Sequence, residues 1–261
     1  MDCEFLAKNG YVVSEFPRKE MLGELQTLVK SAFPCDPVQW HAREGITHEE
    51  HVAQVNKALD VMVESRLVTR LIEANKDLFM QLTGPDLEIQ VSPHLRVTRP
   101  ETESDMIDWH RDSFYGSTPW ELNIWFPVFP LDAGAGLRVL PGSHVMPSVP
   151  RETVDNDEFR KSVVKGSAAH KIGFVYAPKT DETIEAMKPG DSVLIAPPFG
   201  SFAIFFGCAI HRAQNQSHQT RISVDVRIKN TLAPTNTRPG YYEILNCGVV
   251  NASARKFLKQ A

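Results

Sequence analysis

Arg221-Ile222-Ser223-Val224-Asp225-Val226-Arg227-Ile228-Lys229 alternates without a break between apolar β-branched residues and polar ones. Successive side chains of a strand point to opposite faces, so Ile222, Val224, Val226 and Ile228 share one face and their polar partners the other. Working back from it, Gln214-Asn215-Gln216-Ser217-His218-Gln219 is polar and turn-like. The stretch Ser192–Ile210 before that carries no charge and approaches the length of a membrane span. Pro197, Pro198, Gly200 and Ser201 interrupt it, so it reads as two buried strands, near Ser192–Ala196 and Phe202–Phe206, joined by a turn.

Further upstream the same grammar holds as far as Leu87. Leu137–Leu140 is a short strand ending in Pro141-Gly142-Ser143-His144, and Leu122–Phe129 is an apolar run bounded by prolines. Ile107–Tyr115 and Leu87–Val97 read as two more strands. Val145–Met187, charged and punctuated by proline, has the look of a lid-like insertion over a rigid scaffold.

The first third is different. After the turn signal Asn9-Gly10, Tyr11-Val12-Val13 predicts an edge strand. Glu20–Phe33 then spaces Leu22, Leu25, Leu28 and Val29 along one helix face. Thr47 with Glu50 makes a capping-box pattern, opening a helical region that runs with breaks to about Leu82, where Gly84-Pro85-Asp86 ends it. The reading is a mainly β chain with flanking helices, a sandwich or jelly roll braced by N-terminal helices. We expect one domain over 1–261: a helical preface at 1–86, a core at 87–230 with the insertion at 145–187, and an extension at 231–261.

With 42% hydrophobic and 23% charged residues, the composition is that of a globular protein with a sizeable core. A formal net charge of −4 gives no electrostatic footprint for nucleic acid or an anionic membrane. The N-terminus has no apolar signal region, and Cys3, Cys35, Cys208 and Cys247 show no paired spacing, which together point to the cytoplasm. Nothing in the sequence fixes an oligomeric state.

The chemistry starts at Trp109-His110-Arg111-Asp112. On a strand, His110 and Asp112 would project from one face, supplying an imidazole and a carboxylate. His211, delivered by the buried strand before it, is the candidate third ligand. Three such ligands on one face leave the opposite positions open for a co-substrate and dioxygen. Arg221 and Ser223 share a face and can clamp a carboxylate as a fork, which lysine cannot do. A dicarboxylate could then chelate the metal at one end and be held at the other. The strand period turns Trp109, Arg111 and Ser113 away from the metal and leaves Phe114 as a candidate pocket wall. His94 and Arg96, on one strand face, are further pocket candidates. His41, His48, His51, His170 and His218 fall in helical or loop contexts and are expected to be exposed.

This set, His110-x-Asp112, His211 and Arg221-x-Ser223, resembles the iron(II)/2-oxoglutarate-dependent oxygenases of the phytanoyl-CoA dioxygenase-like superfamily. Asn9–Val13 resembles the usual opening of that superfamily. Gly136–His144 resembles the segment after its third core strand, and Lys188–Asp191 the turn before its later strands. The resemblance implies a double-stranded β-helix (jelly roll, cupin-like) holding Fe(II) through His110, Asp112 and His211. It implies 2-oxoglutarate as co-substrate with O2, its far carboxylate on Arg221 and Ser223. Asn123, polar within an apolar strand, is either a further 2-oxoglutarate contact or a satisfied core amide. Oxidative decarboxylation would release succinate and carbon dioxide and oxidise a C–H bond of a small molecule. Related halogenases carry a small residue in place of the carboxylate, so Asp112 favours hydroxylation. Two alternatives stand beside this: a cupin-like metalloenzyme that does not use 2-oxoglutarate, and a non-catalytic binding protein on the same fold.

Overall fold

The computed structural model describes residues 1–153, 178–188 and 190–258. A short helix α1 (Cys3–Asn9) precedes β1 (Tyr11–Glu15), and the helical preface follows as α2 (Glu20–Ala32), α3 (His48–Ser65), α4 (Leu67–Ala74) and α5 (Lys76–Thr83). The chain then runs through β2 (Leu87–Gln90), β3 (His94–Thr98), β4 (Leu122–Pro127) and β5 (Ala135–Val139). β6 (Pro150–Thr153) and β7 (Pro178–Asp181) pair as a separate ribbon, followed by α6 (Glu182–Ala186). Last come β8 (Val193–Ile195), β9 (Ser201–Phe206), β10 (His211–Asn215), β11 (Arg221–Asn230), β12 (Tyr242–Asn246) and α7 (Val249–Leu258).

The strands form two antiparallel sheets, the expected jelly-roll arrangement. The larger has the order β1-β9-β4-β11-β2-β12, with β3 also pairing to β11; the smaller is β10-β5-β8. Alternation sorts the side chains. Ile222, Val224, Val226 and Ile228 of β11, Ile124 and Phe126 of β4, and Phe202 and Ile204 of β9 join one cluster with Leu22, Leu25, Val29, Leu71, Ile72 and Phe79 of the helices. The opposite faces meet the smaller sheet, where Trp125, Phe205 and Ala203 pack with Leu137, Val139 and Ile195. The helices therefore brace the outer face of the large sheet and leave its inner face for the site.

The capping box is present: Thr47 Oγ1 accepts from Glu50 N at 3.1 Å and Glu50 Oε2 accepts from Thr47 N at 3.1 Å. Thr47→Ala should cost about 1 kcal/mol of stability, seen as a lower urea midpoint with an unchanged m value.

Several expectations need correction. Leu87–Val97 is two strands, because the chain breaks at 91–93 so that both β2 and β3 can lie along β11. Ile107–Tyr115 is not a strand: His110 forms an isolated bridge with His211, and Asp112–Tyr115 is a 3-10 turn closed by Gly116 at φ 90°. Phe114 is buried on that turn, where a period of two no longer assigns faces. The stretch after residue 230 is built into the sheet, since β12 pairs with β2. His51 is buried, its Nδ1 accepting from Trp40 Nε1 at 3.0 Å. Of the insertion expected at 145–187, residues 154–177 lie outside the described residues.

Candidate metal centre

His110 and His211 exchange backbone hydrogen bonds, each N donating to the other's carbonyl at 3.0 Å. Their rings lie 4.3 Å apart. Asp112 enters by a different route: its N donates to Gly207 O at 2.8 Å, which starts the 3-10 turn and swings the carboxylate toward the two imidazoles. Its Oδ1 lies 3.5 Å from His110 Nε2 and 3.8 Å from His211 Nε2, and all three ligand atoms lie within 4.8 Å of one another. The two histidines point inward because their other nitrogens are held. Each Nδ1 donates to a carbonyl, Asp108 O at 2.6 Å and Ala209 O at 3.0 Å, which can only accept.

The second carboxylate oxygen is committed elsewhere. Asp112 Oδ2 accepts from Asn123 Nδ2 at 2.6 Å and faces Arg227 NH2 at 3.1 Å, while Arg227 Nε donates to Asn123 Oδ1 at 3.2 Å. Burial alone would push the Asp112 carboxyl up; Arg227 and the two imidazoles outweigh it and hold it well below the usual carboxylate range. Asp112 is thus an anion with Oδ1 presented to the cavity. A pair of imidazoles and one carboxylate, oriented this way, suits a divalent transition metal.

Burial, and after it the neighbouring His110, lowers the pKa of His211 to about 4. It is therefore neutral at neutral pH, the form a ligand needs. The folded value lies below the unfolded value of 6.5, so its contribution to stability is complete above pH 6.5 and lost as pH falls toward 4. Metal-free protein should lose about 2 kcal/mol between about pH 7 and pH 5 from this residue. Urea midpoints across that range should show the loss, and His211→Gln should flatten it.

Arg221 lies across the same cavity, 3% exposed. Its guanidinium donates to Gly136 O, to Gln214 O at 2.9 Å and to Thr98 Oγ1 at 2.9 Å, and it lies over the Trp125 ring at 5.7 Å. All these partners are neutral, and no carboxylate pairs with it among the described residues. Its Nε and the neighbouring Ser223 Oγ are buried without a hydrogen-bond partner. Burial, and then Arg96, lowers its pKa to about 9, which leaves it charged at neutral pH. A buried cation with unfilled donors beside an unfilled hydroxyl is an arrangement that suits an anion.

Of the remaining candidates, Arg96 lines the cavity and Asn123 reaches it through Asp112. His94 is buried on β3 within 3.3 Å of Gln90 Nε2, and Phe114 and His94 are not among the cavity-lining residues. Arg111 turns away from the metal side into a buried ion pair with Asp181 at 2.7 Å. Three residues that the sequence reading passes over belong to the site: Arg227, Asp225 and Tyr241, whose hydroxyl meets Arg227 NH1 at 3.1 Å. Outside the cavity, past Ile107 and Ala213, lies a cleft of about 630 Å³ rimmed by Glu101, Glu103, Asp108 and Arg212.

A family model described as phytanoyl-CoA dioxygenase (PhyH) matches residues 8–223. No curated protein sequence matches the chain. Among solved structures, the fold is similar to the non-heme monooxygenase ThoJ in its apo form, at 15% identity over 95% of this chain and 85% of that one, with a TM-score of 0.59. It is similar to EvdO2 from Micromonospora carbonacea var. aurantiaca complexed with 2-oxoglutarate, at 16% identity over 91% and 94% of the two chains, TM-score 0.53. A third similar structure is the epimerase SnoN in complex with Fe3+, alpha ketoglutarate and nogalamycin RO, at 14% identity over 93% and 96%, TM-score 0.54. At such identities the structural likeness is one of fold; the family match spans most of the chain and carries the assignment. The chain belongs to the phytanoyl-CoA dioxygenase family, whose members are iron- and 2-oxoglutarate-dependent oxygenases.

Proposed function

We propose that this chain binds Fe(II) through His110, Asp112 and His211 and uses 2-oxoglutarate and O2 to hydroxylate an unactivated C–H bond of a small molecule. The observation that carries the reading is Arg221: a buried guanidinium with no carboxylate partner among the described residues, in the same cavity as the two imidazoles and Asp112. A metalloenzyme indifferent to 2-oxoglutarate has no use for it. Two of the similar structures hold 2-oxoglutarate (alpha ketoglutarate), and one of them also holds nogalamycin RO, a small molecule.

A bound iron(II) would supply oxygen activation coupled to decarboxylation of 2-oxoglutarate, giving succinate and carbon dioxide. The residues do the rest. His110 and His211 offer Nε2 atoms oriented by their Nδ1 bonds, and Asn123 and Arg227 hold Asp112 so that one oxygen faces the metal. Arg221, with Ser223 beside it, takes the far carboxylate of 2-oxoglutarate as a charge-assisted pair. Trp125, Leu137 and Phe205 line the cavity with apolar surface and exclude water from the reacting atoms. Substrate approaches from the outer cleft, whose size is in the range of small-molecule sites.

The test is succinate release from 2-oxoglutarate by purified protein supplied with Fe(II) and metabolite pools. The expected result is metabolite-stimulated succinate that disappears in His110→Ala and Asp112→Ala; full activity in both variants sinks the reading.

A further inference from the structure

The inner face of β11 carries one acidic side chain, Asp225, to which neither the metal nor 2-oxoglutarate gives a role. Asp225 stands opposite Trp125 of β4 and His94 of β3, between Ser223 and Arg227 on the same face. Its Oδ1 is buried without a hydrogen-bond partner, and its Oδ2 lies 4.0 Å from Arg96 NH2, beyond hydrogen-bond reach. Both residues line the cavity that holds His110, Asp112 and His211. A buried, unfilled carboxylate oxygen is costly, and a cavity that keeps one is built for a donor that arrives with a ligand.

We propose that Asp225 and Arg96 form the substrate-recognition pair of this enzyme, and that they read a hydroxyl on an uncharged substrate close to the C–H bond that is oxidised. The inference rests on the oxygenase reading and narrows it to a substrate class. A hydroxyl answers both partners, donating to Asp225 and accepting from Arg96; a carboxamide could also do so, and acetylation of hydroxyls in the test separates the two. Charge rules out the ionic competitors. Arg96, Arg221 and Arg227 exceed Asp112 and Asp225 by one positive charge, an excess that a dication and the two negative charges of 2-oxoglutarate together leave unchanged, so an ammonium substrate is repelled. A carboxylate substrate could accept from Arg96 but brings no donor for Asp225 Oδ1 and sets a second negative charge against it. The outer cleft, with Glu101, Glu103 and Asp108 against Arg212, also disfavours an anion.

The experiment divides a metabolite extract of the native cells on cation- and anion-exchange resins and tests the unretained neutral pool on the full-length protein. Two readouts are taken with Fe(II) and 2-oxoglutarate: the charge-transfer absorption of the anaerobic complex, and succinate release in air. The neutral pool should perturb the absorption and stimulate succinate, and acetylation of its hydroxyls should abolish both effects. Asp225→Ala should weaken the apparent affinity for the neutral pool by about 10- to 100-fold, the range of a charge-assisted hydrogen bond. Asp225→Asn, whose amide oxygen still accepts, should retain most of the response; a cationic ligand would lose as much there as in the alanine variant. A response confined to either resin-bound fraction, a neutral pool that does nothing or survives acetylation, or wild-type affinity in Asp225→Ala each overturns the proposal. Absence of the charge-transfer band in wild-type protein before any pool is added is a separate outcome and counts against the oxygenase reading itself.

Discussion

Asp112→Ala is expected to abolish iron retention and succinate formation, and also to destabilise the metal-free protein by about 3–5 kcal/mol. The second effect does not follow from the loss of a ligand. Arg227 is 3% exposed, and Asp112 Oδ2 at 3.1 Å is its closest carboxylate; its other partners, Asn123 Oδ1 and the Tyr241 hydroxyl, are neutral. Burial lowers the affinity of Arg227 for its proton, yet Asp112 more than compensates and holds it well above the ordinary arginine value. Removing Asp112 strands that charge. A double variant, Asp112→Ala with Arg227→Met, should recover much of the lost stability and none of the iron. Urea unfolding and metal analysis of the four proteins of this cycle separate the roles. If Asp112→Ala is as stable as the double variant, Arg227 is not balanced by Asp112 as the geometry indicates.

The same arginine marks the border of what the sequence discloses. Alternation along β11 identifies its apolar face, and that face does pack against the helices. The polar face carries Arg221, Ser223, Asp225, Arg227 and Lys229 in one register, so the parity that picks out Arg221 and Ser223 as a clamp extends to Asp225, which lines the cavity, and Arg227, which meets Asp112. Both are legible, but a polar strand face reads by default as solvated. Here a second sheet covers it. Nothing local to residues 221–229 announces that sheet; its strands β5, β8 and β10 are set by pairings elsewhere in the chain.

The strand parity that picks out His110 and Asp112 is absent from the structure. No strand carries both. His110 is positioned by its bridge to His211, and Asp112 by a 3-10 turn anchored on Gly207. The two-residue spacing still works, because the turn begins at Asp112 itself and brings the carboxylate beside the imidazole. Phe114, two residues further, shows where that coincidence ends: it is inside the turn and does not line the cavity. Tyr241 and the burial of His51 have no local signal, since each depends on a partner brought from another element, Arg227 for the first and Trp40 for the second.

Arg221→Met is expected to weaken 2-oxoglutarate binding by about 100-fold, and Arg221→Lys to restore little of it. A charge-assisted hydrogen bond from the guanidinium to the far carboxylate is worth about 1.5–3 kcal/mol, and about 1.4 kcal/mol is tenfold in affinity. Lysine keeps the charge but not the planar fork. It also cannot reproduce the donations to Gly136 O, Gln214 O and Thr98 Oγ1 that hold the guanidinium in place against Trp125. The contrast with Asp112 is diagnostic. No carboxylate depends on Arg221 among the described residues, so its removal strands no buried charge and should leave the iron content intact. Titration of the anaerobic Fe(II) protein with 2-oxoglutarate, followed by charge-transfer absorption, should therefore show a shifted midpoint and a preserved end point. Wild-type affinity in Arg221→Met would place the far carboxylate of 2-oxoglutarate elsewhere in the cavity. Among the described residues, the other arginine lining that cavity is Arg96, and the proposed hydroxyl reader would then have to give up half of its pair.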